Sequence, residues 1–190
     1  MYSNKVTKNK LMSMDEQPID KEMQKRTDRI LKIFNSVKGF PLGKAPGPIP
    51  PFTKWLNGKM ISAKRGEIEL QYDLRPEMAN PTGLLHGGLQ AAMIDDCIGM
   101  CTATLGYEGF LITIDMQINY LGKIKIEESV LVKASIIREG KNIVHFFGQI
   151  SDRNGNLIAT GNANLLKTKY TPEYVKAVDK NIGFIIPESK

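Results

Sequence analysis

Two adjacent carboxylates, Asp95 and Asp96, sit in a run where the only other polar residue before Thr102 is Gln90. Burying an ionised carboxylate without partners costs several kcal/mol, so at least one of the pair must face a polar site or a specific partner. Adjacent helix positions point about 100° apart, so one can do acid/base chemistry while the other is structural. From spacing alone, a structural and a functional role are equally open for each.

The segment Asn80-Pro81-Thr82-Gly83-Leu84-Leu85-His86-Gly87-Gly88 runs directly into that apolar stretch. Glycines there let backbone approach a ligand, and the free N–H groups at a helix start favour an anion or a developing oxyanion. Gly87 is thereby a candidate oxyanion donor, and an ordinary glycine-rich entry turn is the plainer alternative. Gly87 and Asp95 are eight residues apart, about 12 Å along one helix, too far for one carbonyl to meet both. Two antiparallel copies of the helix about a twofold axis bring Gly87 of one chain beside Asp95 of the other. Such a site requires a dimer.

Other chemistry-bearing residues give weaker signals. Cys97 and Cys101 lie inside the apolar run, where thiolate formation is disfavoured, so they read as buried free thiols rather than a nucleophile or a redox pair. His145 falls in an alternating segment and reads as a packed or surface residue. No metal-ligand spacing occurs, so no metal is expected.

These residues need elements to hold them. Residues 1–19 are polar and aperiodic and read as a disordered tail. Asp20 can cap a helix to about Val37, with Met23, Ile30, Leu31, Phe34 and Val37 on one stripe and Gly39 as its stop. The segment PLGKAPGPIPPFTKW holds five prolines and two glycines and reads as an extended connection closing a 20–54 extension. KMISAKR and GEIELQYDL then form a hairpin about Arg65 and Gly66. LQAAMIDDCIGMCTATLG is a helix stopping at Gly106. Four strands follow: LITIDMQINYL, ESVLVKASIIRE, NIVHFFGQISD and NLIATGNANLLK, the last pair joined through Asn154-Gly155. This order excludes Rossmann and TIM-barrel sheets. A helix apolar nearly all round must be buried, and a curved antiparallel sheet wrapped around it meets that demand. The core domain is expected over residues 55–169, followed by a tail over 170–190.

The chain has 190 residues and a formal net charge of +6. Residues 1–70 carry 14 Lys/Arg against 7 Asp/Glu, and the remainder 12 against 13. The excess is confined to the N-terminal part and no aromatics interleave it, which argues for solvated surface or attraction of an anionic ligand and against nucleic acid. No apolar run approaches the ~20 residues of a membrane span, and the N-terminus lacks an apolar signal segment, so a cytoplasmic protein is expected.

His86-Gly87-Gly88, six residues, Asp95, three residues and Gly99 together resemble the signature of the hotdog thioesterases of the phenylacetate-pathway (PaaI-like) type. The similarity spans roughly residues 55–168. It implies an α+β hotdog fold, a homodimer or dimer of dimers with the active site at the subunit interface, and hydrolysis of an acyl-coenzyme A. Carried over by position, Asn80 and the Gly87 N–H polarise the thioester carbonyl and His86 positions the loop. Asp95 of the neighbouring subunit is general base or nucleophile, assisted by Thr113, where the family's pattern has serine. Gly88 and the hairpin residues Arg138, Gly140 and Lys141 are implied contacts of coenzyme A, which enters as part of the substrate, with no separate cofactor. A non-catalytic acyl-CoA sensor and an enoyl-CoA hydratase or dehydratase are the alternatives. The latter has a different signature, an Asp followed by Asn-Pro-x-His, and Asn80-Pro81 lacks that Asp and His arrangement.

Overall fold

Asp20 opens the ordered extension as the sequence predicts: its Oδ1 accepts from Met23 N at 2.7 Å and caps α1 (Lys21–Ser36). The structure is a computed structural model that describes residues 19–172 and Lys176. Of the expected tails, residues 1–18, 173–175 and 177–190 lie outside the described residues. On α1 the deepest residues are Thr27 and Ile33, with Leu31, Phe34 and Val37 half-buried against the core. Thr27 falls within the predicted stripe, and Ile33 is buried beside it.

The proline-rich segment differs from the extended connection expected of it. Its last residues fold into α2 (Pro51–Leu56), which begins at Pro51 and ends on left-handed Asn57. Proline at the first helical position loses no hydrogen bond and already has the helical φ, so a residue read as a breaker here starts a helix. Upstream, Gly39 N donates to Met60 O and Leu42 N to Gly58 O, both at 2.9 Å, laying residues 38–42 along the first strand.

The hairpin strands are β1 (Lys59–Lys64) and β2 (Glu67–Asp73). The apolar run forms α3 (Gly87–Ala103), followed by β3 (Leu111–Tyr120), β4 (Ser129–Glu139), β5 (Ile143–Ser151) and β6 (Leu157–Lys167). All pair antiparallel in the order β1-β2-β4-β5-β6-β3. This curved sheet with α3 packed on it is the hotdog fold. Met93, Ile94, Cys97, Ile98 and Cys101 bury the sheet side of α3 against Ile68, Val132, Phe146 and Leu165.

Two glycines set how close that helix comes. Gly148 on β5 and Gly161 on β6 are register partners, and Ile94 fits the notch they leave. A Cβ at Gly148 would stand 2.6 Å from Ile94 Cγ2, and one at Gly161 would stand 3.1 Å from it. At the other end of α3, Arg26 Nε donates to Gly106 O (2.7 Å) and Thr27 Oγ1 to Thr104 O (3.0 Å). The extension thereby satisfies carbonyls that a helix C-terminus leaves without partners. Among the described residues, no helix is long and apolar enough to cross a membrane and no group of His, Cys, Asp or Glu could hold a metal ion.

Candidate active site

The loop before α3 is built on Asn80. Its Oδ1 accepts from Thr82 N (2.9 Å), Thr82 Oγ1 (2.7 Å) and Leu84 N (3.1 Å), an arrangement that folds residues 80–84 on themselves. With the carbonyl end so occupied, the amide NH2 is the end with protons for a ligand. His86 is the N-cap of α3: its Nδ1 accepts from Gly88 N at 2.9 Å, which puts the proton of a neutral ring on Nε2. Gly88 therefore offers room rather than a donor, and a Cβ there would come within 3.1 Å of the His86 ring. Gly87, first residue of the helix, has an N–H beyond the reach of any carbonyl of α3. Its own carbonyl accepts from Tyr120 Oη at 3.2 Å.

Asp95 and Asp96 part company as adjacent helix positions should. Asp95 is exposed and accepts from Thr113 Oγ1 at 3.1 Å. Asp96 turns inward to the hydroxyls of Thr53 (2.5 Å) and Tyr72 (3.2 Å). A bulge in β3 arranges the opposite wall. Thr113 pairs with Leu165 but Asp115 pairs with Asn164, so Ile114 is an extra residue. The inward parity of β3 changes from odd to even there, and Thr113 and Tyr120 both come to face α3. Arg138, Gly140 and Lys141 lie at the β4–β5 hairpin, with both cations exposed. Glu139 on that hairpin shares a register row with Val144, Leu165 and Thr113, so it is three strands, about 14 Å, from β3. Within one chain the structure does not bring these cations to the Asp95–Thr113 pair.

Residues 82–159 match the Thioesterase superfamily. Human acyl-coenzyme A thioesterase 13 is 30% identical over 106 residues, which cover 54% of this chain and 74% of that protein. The chain belongs to the thioesterase superfamily. It is a thioester hydrolase. A phenylacetic acid degradation-related protein from Ralstonia eutropha superposes with a TM-score of 0.60 at 26% identity, covering 74% of this chain and 98% of its own. The fold also matches smu.793 of Streptococcus mutans, solved with acetyl CoA, at a TM-score of 0.57 and 18% identity over 61% and 92% of the two chains.

In this thioesterase the other reactive groups are otherwise engaged. Burial pushes the Cys97 thiol well above its ordinary range and that of Cys101 up to about 12, which disfavours a thiolate nucleophile as the sequence predicts. His145 Nδ1 lies 2.8 Å from Asn164 Oδ1, whose amide holds Asp115. Three partners in the site escaped sequence reasoning: Thr53 and Tyr72 on Asp96, and Tyr120 on Gly87. All are more than twenty residues away from their contacts, and no spacing rule encodes such pairs.

Burial holds the Asp96 carboxyl above the ordinary carboxylate range, against the lowering pull of the Thr53 and Tyr72 hydrogen bonds. A pKa raised by folding contributes stability below the unfolded value and loses it as pH rises through the folded one. The stability of the wild type relative to Asp96→Asn is expected to fall from about pH 4 upward and level off above the raised folded value. Urea unfolding of both proteins across the acid-to-neutral range measures this, and a rising difference contradicts it.

Proposed function

We propose that this thioesterase hydrolyses an acyl-coenzyme A to the free acid and coenzyme A, in active sites shared between two copies of the chain. The observation that carries the reading is a spacing: the Gly87 N–H stands at the start of α3 and the Asp95–Thr113 pair eight residues later, about 12 Å away. The free edge of β3 supports a twofold partner. That strand is ten residues long, exposes Ile112, Ile114 and Tyr120, and pairs on one side only among the described residues. Long unpaired edges are templates for pairing with another chain. A dimer formed there sets one copy's Gly87 opposite the other's Asp95, and pairing of two such dimers gives the tetrameric alternative.

In this site the Gly87 N–H and the Asn80 amide hold the thioester oxygen as it becomes an oxyanion. His86 keeps the loop in shape through Gly88 N. The partner's carboxylate at position 95 either removes a proton from the attacking water or attacks the carbonyl carbon itself, and the coenzyme A thiolate leaves. Thr113 orients that carboxylate. A thioester is already activated, so positioned water, a base and oxyanion donors suffice, with coenzyme A entering as part of the substrate. Gly88 leaves room for the pantetheine arm, and Arg138 and Lys141 at the hairpin are assigned to the coenzyme A phosphates across the subunit edge, with Gly140, whose N–H donates to Ile143 O, holding the turn between them. The acetyl CoA bound by smu.793 and the name of the human relative support this substrate class.

The test is complementation. Asp95→Asn and an Asn80→Ala, Gly87→Pro double variant are each expected to be inactive. After unfolding and refolding together, random pairing leaves one intact site in half of the dimers and returns about a quarter of wild-type coenzyme A release. Recovery of nothing, with mixed dimers demonstrated, contradicts a shared site.

A further inference from the structure

Between α1, the proline-rich segment and α3 lies a cavity of about 400 Å³. Pockets for small ligands occupy about 300–1,000 Å³. Its floor is the outer face of α3 at Gly99, Met100 and Ala103, and its roof is Phe34 and Val37 of α1 with Ile49 of the proline-rich segment. Asp95 lines it near one end, and Arg26 and Gly106 line it beyond the other end of α3. The extension, outside the span that matches the superfamily, supplies the whole roof.

Three features identify what fills this space. The wall hydroxyls are already committed: Thr53 donates to Asp96 (2.5 Å), Thr102 to Gly99 O (2.7 Å) and Tyr107 to Glu139. Both oxygens of Asp96 are occupied as well, so of the two carboxylates only Asp95 is placed to meet a reacting group. The rest of the chamber suits an apolar guest. The second feature is Gly99, a glycine in the middle of a helix, where it is destabilising relative to Ala. No packing within the chain explains it, because a Cβ there would meet nothing within 4 Å. The space it leaves opens into the cavity, one helical turn beyond Asp95. The third is length. Asp95 to Ala103 spans about 12 Å, and an extended chain advances about 3.3–3.6 Å per three bonds, so about ten carbons lie along the floor.

We propose that this cavity is the acyl chamber, that α1 and the proline-rich segment form its roof, and that the extension and Gly99 together set a preference for straight aliphatic acyl groups of about ten carbons. The proposal rests on the thioesterase reading above for its reacting end, at Asp95, and on the cavity for everything else.

The experiment compares kcat/KM for straight-chain acyl-CoAs from acetyl to hexadecanoyl in wild type, Gly99→Leu and Phe34→Ala. In wild type each added methylene should raise kcat/KM about fourfold until the chamber is full. Gly99→Leu fills the floor with a good helix former and should lower the decanoyl-to-acetyl ratio at least tenfold. Phe34→Ala enlarges the roof and should move the optimum to longer chains, which keeps the test intact should either variant fold poorly. A flat wild-type profile, or an unchanged ratio and optimum in both variants, overturns the chamber while leaving the thioesterase reading standing. Should wild type hydrolyse no thioester, calorimetric binding of decanoyl-CoA decides. Weakening by Gly99→Leu then supports the chamber without catalysis, and unchanged binding overturns it.

Discussion

Replacing Asp95 with asparagine is expected to lower kcat for thioester hydrolysis by at least about a hundredfold, the scale of a lost acid/base or attacking group. The neutral isostere keeps the size of the side chain and its place beside Thr113, and removes the charge that takes a proton or attacks. Because Asp95 is exposed, with Thr113 as its hydrogen-bond partner, its folding stability should change by no more than about 0.5 kcal/mol. Asp96→Asn should show the reverse emphasis, a pH-dependent stability change with a smaller effect on turnover, since both its oxygens serve Thr53 and Tyr72. Steady-state release of coenzyme A from an acyl-CoA panel, with thermal melts of each variant, separates the two aspartates. Wild-type turnover in Asp95→Asn would remove it from the chemistry.

Gly148→Val is expected to produce the largest loss of stability, about 3 kcal/mol or more, because it inserts atoms where Ile94 already sits. For a protein of this size that corresponds to a fall in Tm of about 6–12 °C. Ile94 precedes Asp95, so a helix pushed off the sheet also carries the carboxylate away, and a misplacement of about 1 Å can cost about a hundredfold in rate. A double variant, Gly148→Val with Ile94→Ala, checks the cause. Space vacated by Ile94 should recover at least about 1 kcal/mol relative to the sum of the single changes. Simple additivity would place the strain elsewhere.

Much of this was legible in the chain alone, for definable reasons. Apolar periodicity and Asp20 marked α1, the long Ala- and Met-rich run marked α3, and alternation with Asn154-Gly155 marked the strands, because these signals are local. The chemistry of Asp95 and Asp96 was bounded by the same kind of argument, since a helix turns by a fixed angle per residue and must give adjacent carboxylates different surroundings. Which one is buried depended on Thr53 and Tyr72, brought in from α2 and β2. Proline in the connection was ambiguous because the same ring that breaks a helix interior favours a helix start, and only packing chose between them at Pro51.

The amino-acid sequence by itself determined the order and type of the main elements, the buried helix, the glycine-led loop and the carboxylate pair, all consequences of residue chemistry within a few turns of chain. Tertiary structure alone decided the rest. It divided the aspartates into a buried and an exposed one, used an extra residue at Ile114 to turn Thr113 and Tyr120 to the same face, and let α3 settle into the Gly148–Gly161 notch. It also laid the extension over the outer face of α3 at Gly99, leaving a cavity between them. Each of these joins residues far apart in sequence, where the outcome is set by which surfaces exclude water together and not by any local preference of the chain.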